Sequence, residues 1–366
     1  MEKLRIRNIL VPIDFSKMSV QAIETAQRLA RRSGGSVHLV HVHQLYYPAG
    51  FMALGIWSTQ QSITFEQQRA QVTKNLTGLA RKHSLSPADC HVLTGAPAFD
   101  EICRLAQEIP ADLIVMSTHG YTGLKHVFLG STAERVVQHS PCPVFVVRPR
   151  KRKSETGRTS TVHTILVPVD FSPCSRGGLR YAIGFANEFG AKIILLHATY
   201  LGYIYSSEGT AIYDIPGLQK AARKNAERHM RELIRTLNFR SVKFEMAFTD
   251  GSPALDICAS AKDHDVDLII TSTHGLTGLQ HVLIGSIAER VVRHAPCSVL
   301  VVPSHPKTRV ARLAKARARR SAKTASAQLP RSPRSRPLTK RDRKLAVHAF
   351  PERRKTNKFR ESHFSR

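Results

Sequence analysis

Residues 117–142 (STHGYTGLKHVFLGSTAERVVQHSPC) return as residues 272–297 (STHGLTGLQHVLIGSIAERVVRHAPC), with roughly 19 of 26 positions identical at an offset of about 155 residues. A repeat this long and this exact in spacing restricts the chain to two copies of one folding unit. Each copy follows an apolar strand-like run, carries a glycine-bearing turn, then Gly-Ser, then a helix-like stretch. Strand, glycine loop and helix N-terminus in that order can cradle a phosphate, because backbone N–H groups converge there. Nucleotide binding is therefore the leading functional idea.

The rest of each half has the same alternating order. Residues 8–15 (NILVPIDF) read as a buried strand. Ser16 and Ser19 are candidate N-caps for a helix over 17–33, where Ala22, Ala26, Leu29 and Ala30 recur at helical spacing. Gly34 and Gly35 end it. Residues 37–42 form a second strand, 45–62 look irregular, and 64–83 read as a long polar helix. A short strand over 90–93, a helix over 98–107 and a strand over 112–117 follow. After the glycine loop come a helix at 131–140 and a strand at 144–147. In the second half, residues 164–171 (TILVPVDF), 192–197, 267–272 and 299–302 match the first, second, fourth and fifth strands. Strands alternating with helices imply a parallel sheet covered on both faces, with right-handed crossovers.

With 366 residues there is room for two domains of ordinary size, and 42% apolar content suits globular cores. The net charge of +28 is uneven. Residues 304–366 hold roughly 21 Lys/Arg against 3 Asp/Glu, and 148–163 add about 6 basic residues against Glu155. The organisation read from this is a first domain over 1–149, a basic linker over 150–161, a second domain over 162–304 and a basic tail over 305–366. The tail has few large apolar residues to offset its ordering entropy and is expected to be disordered. The six cysteines form no CxxC pair, and the matched pairs Cys103/Cys258 and Cys142/Cys297 read as buried thiols. No secretory signal or long apolar span is visible, so a cytoplasmic location with no membrane contact is expected.

These residues bring a family into view. The chain resembles a tandem universal stress protein, over about residues 5–150 and 161–304. Nucleotide-binding members of that family share Gly, two residues, Gly, nine residues, Gly, then Ser or Thr. Gly120 and Gly130-Ser131 stand at that nine-residue gap, as do Gly275 and Gly285-Ser286. Ser117 and Ser272 replace the first glycine. The family's aspartate at the end of the first strand is matched by Asp14 and Asp170. The resemblance implies an α/β fold of two flavodoxin-like, doubly wound parallel-sheet domains, five strands each in the order 3-2-1-4-5.

In such a sheet, ligands sit beyond the carboxyl ends of the strands, where strand order reverses. Asp14 can accept hydrogen bonds from ribose hydroxyls, and Gly120 allows close backbone approach to phosphates. Gly130, Ser131 and Thr132 open a helix whose dipole favours anions. The resemblance places Pro12, Ile13, Val42 and Met116 beside adenine and His119 near the phosphates, with ATP, with or without Mg²⁺, as the ligand. The second site would use Pro168, Val169, Asp170, Ala198, Thr271, Ser272, His274, Gly275, Gly285, Ser286 and Ile287. Plainer readings exist. Ser131-x-x-Glu134 and Ser286-x-x-Glu289 match capping boxes. Asp14 can cap the following helix, and Gly120 can be a simple turn. His41 and His197, within strands, read as satisfied core residues rather than ligands.

No GxxxxGK[ST] motif and no nucleophile–base pair occurs, so the site looks built to hold a nucleotide rather than turn it over. A stress-response regulator that binds ATP is the first reading. A slow ATPase or phosphotransferase is the second. A scaffold binding nucleic acid or another polyanion through the tail is the third. The fifth strands are expected sheet edges. Family resemblance implies pairing of the two domains through them, with two chains free to associate further as a homodimer.

Overall fold

The structure is a computed structural model. It describes residues 6–44, 59–118, 129–148, 162–199, 215–237, 239, 242–273 and 285–304, with 59–64 and 215 described by backbone only. All of these lie in one compact unit, Met1–Ala316. The expected tail and linker fall outside the described residues.

The first half runs β1 (Asn8–Pro12), α1 (Lys17–Ser33), β2 (Ser36–His43), α2 (Thr59–Lys82), β3 (Cys90–Thr94), α3 (Ala98–Glu108), β4 (Leu113–Ser117), α4 (Ser131–His139) and β5 (Val144–Val147). The second half runs β6 (Thr164–Pro168), α5 (Pro173–Phe189), β7 (Lys192–Ala198), α6 (Ile215–Thr236), β8 (Phe244–Thr249), α7 (Pro253–Asp263), β9 (Leu268–Ser272), α8 (Ser286–His294) and β10 (Ser298–Val302). The long helix begins at Thr59, inside the stretch expected to be irregular.

The helices start and stop for local reasons. In α1 the buried residues Ala22, Ile23, Ala26, Leu29 and Ala30 form one stripe at helical spacing. Ser16 is the N-cap, its Oγ accepting from the Ser19 amide at 3.1 Å. Gly34 closes the helix in the left-handed region at φ 68°, its N–H donating to the Ala30 carbonyl. The equivalent helix α5 repeats both devices with Ser172 and Gly190, the latter also at φ 68°. A side chain at either glycine would strain that backbone, at a cost near 1 kcal/mol.

Each half is a parallel sheet in the order 3-2-1-4-5, and the two join into one sheet of ten strands, β3-β2-β1-β4-β5-β10-β9-β6-β7-β8. The seam is antiparallel and pairs Val144 with Val301, Phe145 with Leu300, and Val146 with Val299. Internal pairing through the fifth strands is thus present in the fold. Antiparallel joining reverses the strand direction between halves, so their carboxyl edges lie at opposite ends of the sheet.

Both faces of the sheet are covered, which is why the strands read as continuous apolar runs rather than alternating ones. Ile9 and Val11 point to one face, with α1 and α5, and Leu10 to the other, with α3, α4, α7 and α8. Each of the two apolar clusters contains residues of both halves, so the core is continuous across the seam. Burying one such Ile, Leu or Val contributes about 1.5–3 kcal/mol.

Candidate functional site

The switch in strand order between β1 and β4 places two chain segments side by side that are a hundred residues apart. β1 ends at Pro12, and the Ile13 amide still donates to the Val40 carbonyl at 2.8 Å. Asp14 follows, its Oδ1 accepting from the Ser16 amide at 3.0 Å. The aspartate therefore braces the residue that caps α1, rather than capping the helix itself. Across the switch, β4 delivers Met116 and Ser117, and the Thr118 carbonyl accepts from the Gly130 amide at 2.8 Å. That bond sets the start of α4 against the end of β4.

These ends enclose a cleft of about 490 Å³, a size ordinary for a small-molecule site. Its lining includes Pro12 at the end of β1 with Ile13 and Asp14 just beyond it, Val42 from β2, Met116 and Ser117 from β4, and Gly130, Ser131 and Thr132 at the start of α4. Every described first-half residue named from the sequence is brought together there. His119 and Gly120 lie outside the described residues. The lining also contains residues that the sequence reading did not assign to the site: Ser19, Val40, His41, Gln44, Thr118 and Ala133, with Ala98 and Ile102 of α3. Ile102 was findable from the helical stripe of α3, which has to face the sheet. Gln44, just past a strand end, carries no local signal.

The capping boxes are not formed. Gly130, not Ser131, is the N-cap of α4, and no side chain caps that terminus. Gly285 likewise precedes α8 with no side-chain cap. Ser131 and Ser286 are instead the first helical residues, which puts Glu134 and Glu289 one position too late to reach back. The Ser-over-Gly preference at N-caps misplaces the boundary by one residue. The consequence favours the ligand reading. A helix start without a side-chain cap presents its first N–H groups, and the positive end of its dipole, to the cleft.

The turn after β1 is unusual. Phe15 has φ 63°, a left-handed conformation that a bulky residue adopts only when its surroundings impose it, at about 1–3 kcal/mol. Its ring lies 4.9 Å from that of His41, and His41 Nδ1 donates to the Ile13 carbonyl at 2.7 Å. A carbonyl only accepts, so Nδ1 carries the proton. Burial lowers the His41 pKa against the raising effect of that hydrogen bond, which keeps the ring neutral at pH 7. The expected reading of this histidine as a satisfied residue holds, although it also borders the cleft.

The second half repeats this frame. Phe171 has φ 63°, its ring 4.7 Å from His197, and His197 Nδ1 donates to the Val169 carbonyl at 2.7 Å. Asp170 Oδ1 accepts from the Ser172 amide at 3.0 Å. Pro168 ends β6, Ala198 ends β7 and Ser272 ends β9, with Thr271 buried beside it. Gly285, Ser286 and Ile287 open α8, and Ile287 is 45% exposed. His274 and Gly275 lie outside the described residues. The two halves differ in side chains: Ala198 stands for Val42, Thr271 for Met116 and Ile287 for Thr132.

The first cleft thus joins an apolar wall, a carboxylate and a helix start lined with hydroxyls. That set suits a ligand with a flat apolar part, hydroxyls and an anionic end. Among the described residues, no cluster of three or more His, Cys, Asp or Glu is arranged to hold a metal ion. No described helix is long and apolar enough to cross a membrane.

Comparison with known proteins agrees with this architecture. The family model of the universal stress protein family matches residues 5–148 and again 161–303. A universal stress protein of Methanocaldococcus jannaschii is 33% identical over 147 residues, 40% of this chain and 85% of that protein. One from Mycolicibacterium smegmatis is 25% identical over 305 residues, 80% of this chain and 96% of that protein. In fold, the chain is similar to the crystal structure of a universal stress protein from Archaeoglobus fulgidus, with TM-score 0.54 and 19% identity over 82% of this chain and 97% of that one. The chain belongs to the universal stress protein family, with two of its domains in tandem.

Proposed function

We propose that this protein is an adenine-nucleotide-binding regulator of the stress response, and that its first-half cleft takes ATP. The observation that carries the proposal is the convergence of Asp14, Met116, Val42 and the α4 start on one cleft of about 490 Å³. Adenine fits between the Val42 and Met116 side, the ribose hydroxyls face Asp14, and the phosphates face the N–H groups at Ser131 and Thr132. Each assignment matches a chemical need: apolar contact for the base, an acceptor for hydroxyls, and donors with a dipole for anions. We propose holding rather than turnover as the role, because the sequence contains no GxxxxGK[ST] motif and no nucleophile–base pair.

Mass spectrometry of small molecules released on denaturing the purified protein tests the reading, with calorimetric titration of ATP beside it. Adenine nucleotide in the supernatant, or saturable ATP binding, is the expected result. Recovery of none together with a flat titration would end the proposal. Steady phosphate release from ATP that disappears in Asp14→Ala would move the protein into the ATPase class.

A further inference from the structure

We infer that His41 is a positioning residue for Asp14, and so for recognition of the ribose. The inference rests on the nucleotide reading above and deepens it. Ile13 is gripped by two consecutive residues of β2: its amide donates to the Val40 carbonyl at 2.8 Å, and its carbonyl accepts from His41 Nδ1 at 2.7 Å. The next residue but one, Phe15, is held at φ 63° with its ring 4.9 Å from the same imidazole. Asp14 lies between these two fixed points, and its Oδ1 is tied to the Ser16 amide at 3.0 Å. One side chain therefore anchors the backbone on both sides of the carboxylate.

The second half assembles the same device around a different residue, Val169 in place of Ile13. His197 Nδ1 meets the Val169 carbonyl at 2.7 Å, Phe171 sits at φ 63° with its ring 4.7 Å from His197, and Asp170 is braced by Ser172. A histidine that only filled space would need neither the carbonyl bond nor the left-handed phenylalanine. The imidazole supplies both from one ring: an N–H at Nδ1 for the carbonyl and a flat face for Phe15. The same N–H fixes the tautomer, leaving Nε2 without a proton in the neutral ring.

The test uses the full chain in a Gly285→Leu background, which crowds the second helix start against either ligand, so that the titration reports the first cleft. His41→Phe keeps an aromatic face and removes the donor. His41→Asn keeps an N–H donor near the Nδ1 position and removes the ring. Calorimetry then compares ATP with 2′,3′-dideoxy-ATP. The expected result is a loss of about tenfold in ATP affinity for His41→Phe, the scale of one displaced hydrogen-bonding group. His41→Asn should recover most of that loss, and neither variant should change affinity for the dideoxy analogue by more than about threefold. Unaltered ATP affinity in His41→Phe, or equal losses for the two ligands, overturns the inference while leaving the nucleotide site intact. Failure of the parent protein to bind ATP would instead bring down the nucleotide reading itself. Nitrogen-15 chemical shifts of the parent protein's imidazoles give a check independent of folding in the variants. A proton on Nε2 rather than Nδ1 of neutral His41 would also refute the positioning role.

Discussion

Arg148 and Arg293, cations from opposite halves of the chain, are joined by a hydrogen bond: Arg148 Nη2 donates to the Arg293 backbone carbonyl at 2.8 Å. The same nitrogen donates to the Val292 carbonyl at 3.2 Å. Both carbonyls lie in the last turn of α8, where acceptors have no intrahelical partner and the dipole favours a cation. Burial lowers the Arg148 pKa, yet the group stays charged. Arg148→Ala should therefore reduce stability by about 1.5–3 kcal/mol, the range for hydrogen bonds to a charged group. Urea denaturation measures it. A change under about 0.5 kcal/mol would mean that water serves those carbonyls equally well.

The seam yields a second prediction. Leu300, fully buried, pairs with Phe145 across it, and both belong to the apolar cluster that runs through the two halves. Leu300→Ala should cost about 2–5 kcal/mol by lost transfer and cavity terms. Fluorescence and circular dichroism should follow one cooperative transition, in the substituted chain as in the parent. Two resolved transitions, with only the later half shifted, would show that the core is not shared energetically.

For the nucleotide site, Asp14→Ala should weaken ATP binding by roughly tenfold to a hundredfold, because it removes a charged acceptor. Gly130→Leu should weaken it by at least about tenfold through crowding at the helix start, with little change in stability, since Gly130 has φ −61°, open to any residue. Asp170→Ala should matter less. With Ala198, Thr271 and Ile287 in place of Val42, Met116 and Thr132, the second site offers less apolar contact for the base and no threonine hydroxyl at the helix start. Calorimetry showing equal affinity at both sites would contradict that ranking.

Alkaline pH probes the interior. Burial is the largest cause raising the Cys103 thiol to about 12, from an ordinary value of 9.0. A raised folded-state pKa makes a contribution that is fully present below about pH 9 and is lost as pH climbs toward 12. Stability should therefore decline across that window, and Cys103→Ala should flatten the decline by at most roughly 1.4 kcal/mol per pH unit. Native Cys103 should resist alkylation at pH 8 while the half-buried Cys174 reacts. Equal rates for the two would refute the burial argument.

How much of this was legible beforehand depended on whether the signal was local. The strand β5 was readable to the residue, because Val144–Val147 is a short apolar run bounded by Pro143 and Arg148. So was α1, whose serine cap and terminal glycine are sequence signals with mechanisms. The strand β8 was not named. It is an edge strand whose Phe244 and Met246 remain 40% and 38% exposed, and no buried-run pattern marks it. At the site, the strand ends and the glycine-serine helix start were visible through spacing. The cap register was misread, since glycine rather than serine takes the boundary. The left-handed Phe15 had no signal at all, because nothing in the letters NILVPIDF announces a positive φ, and the ring it packs against, His41, comes from another strand.

The join between β5 and β10 has one further consequence. Strands that meet between separate molecules associate according to mass action, and dilution parts them. Here both strands are carried by one polypeptide, so their encounter is a first-order event with a fixed effective concentration. The paired state of the two halves is then insensitive to how much protein a cell makes. Its melting temperature should stay constant on hundredfold dilution, as it would not for a pair governed by a dissociation constant.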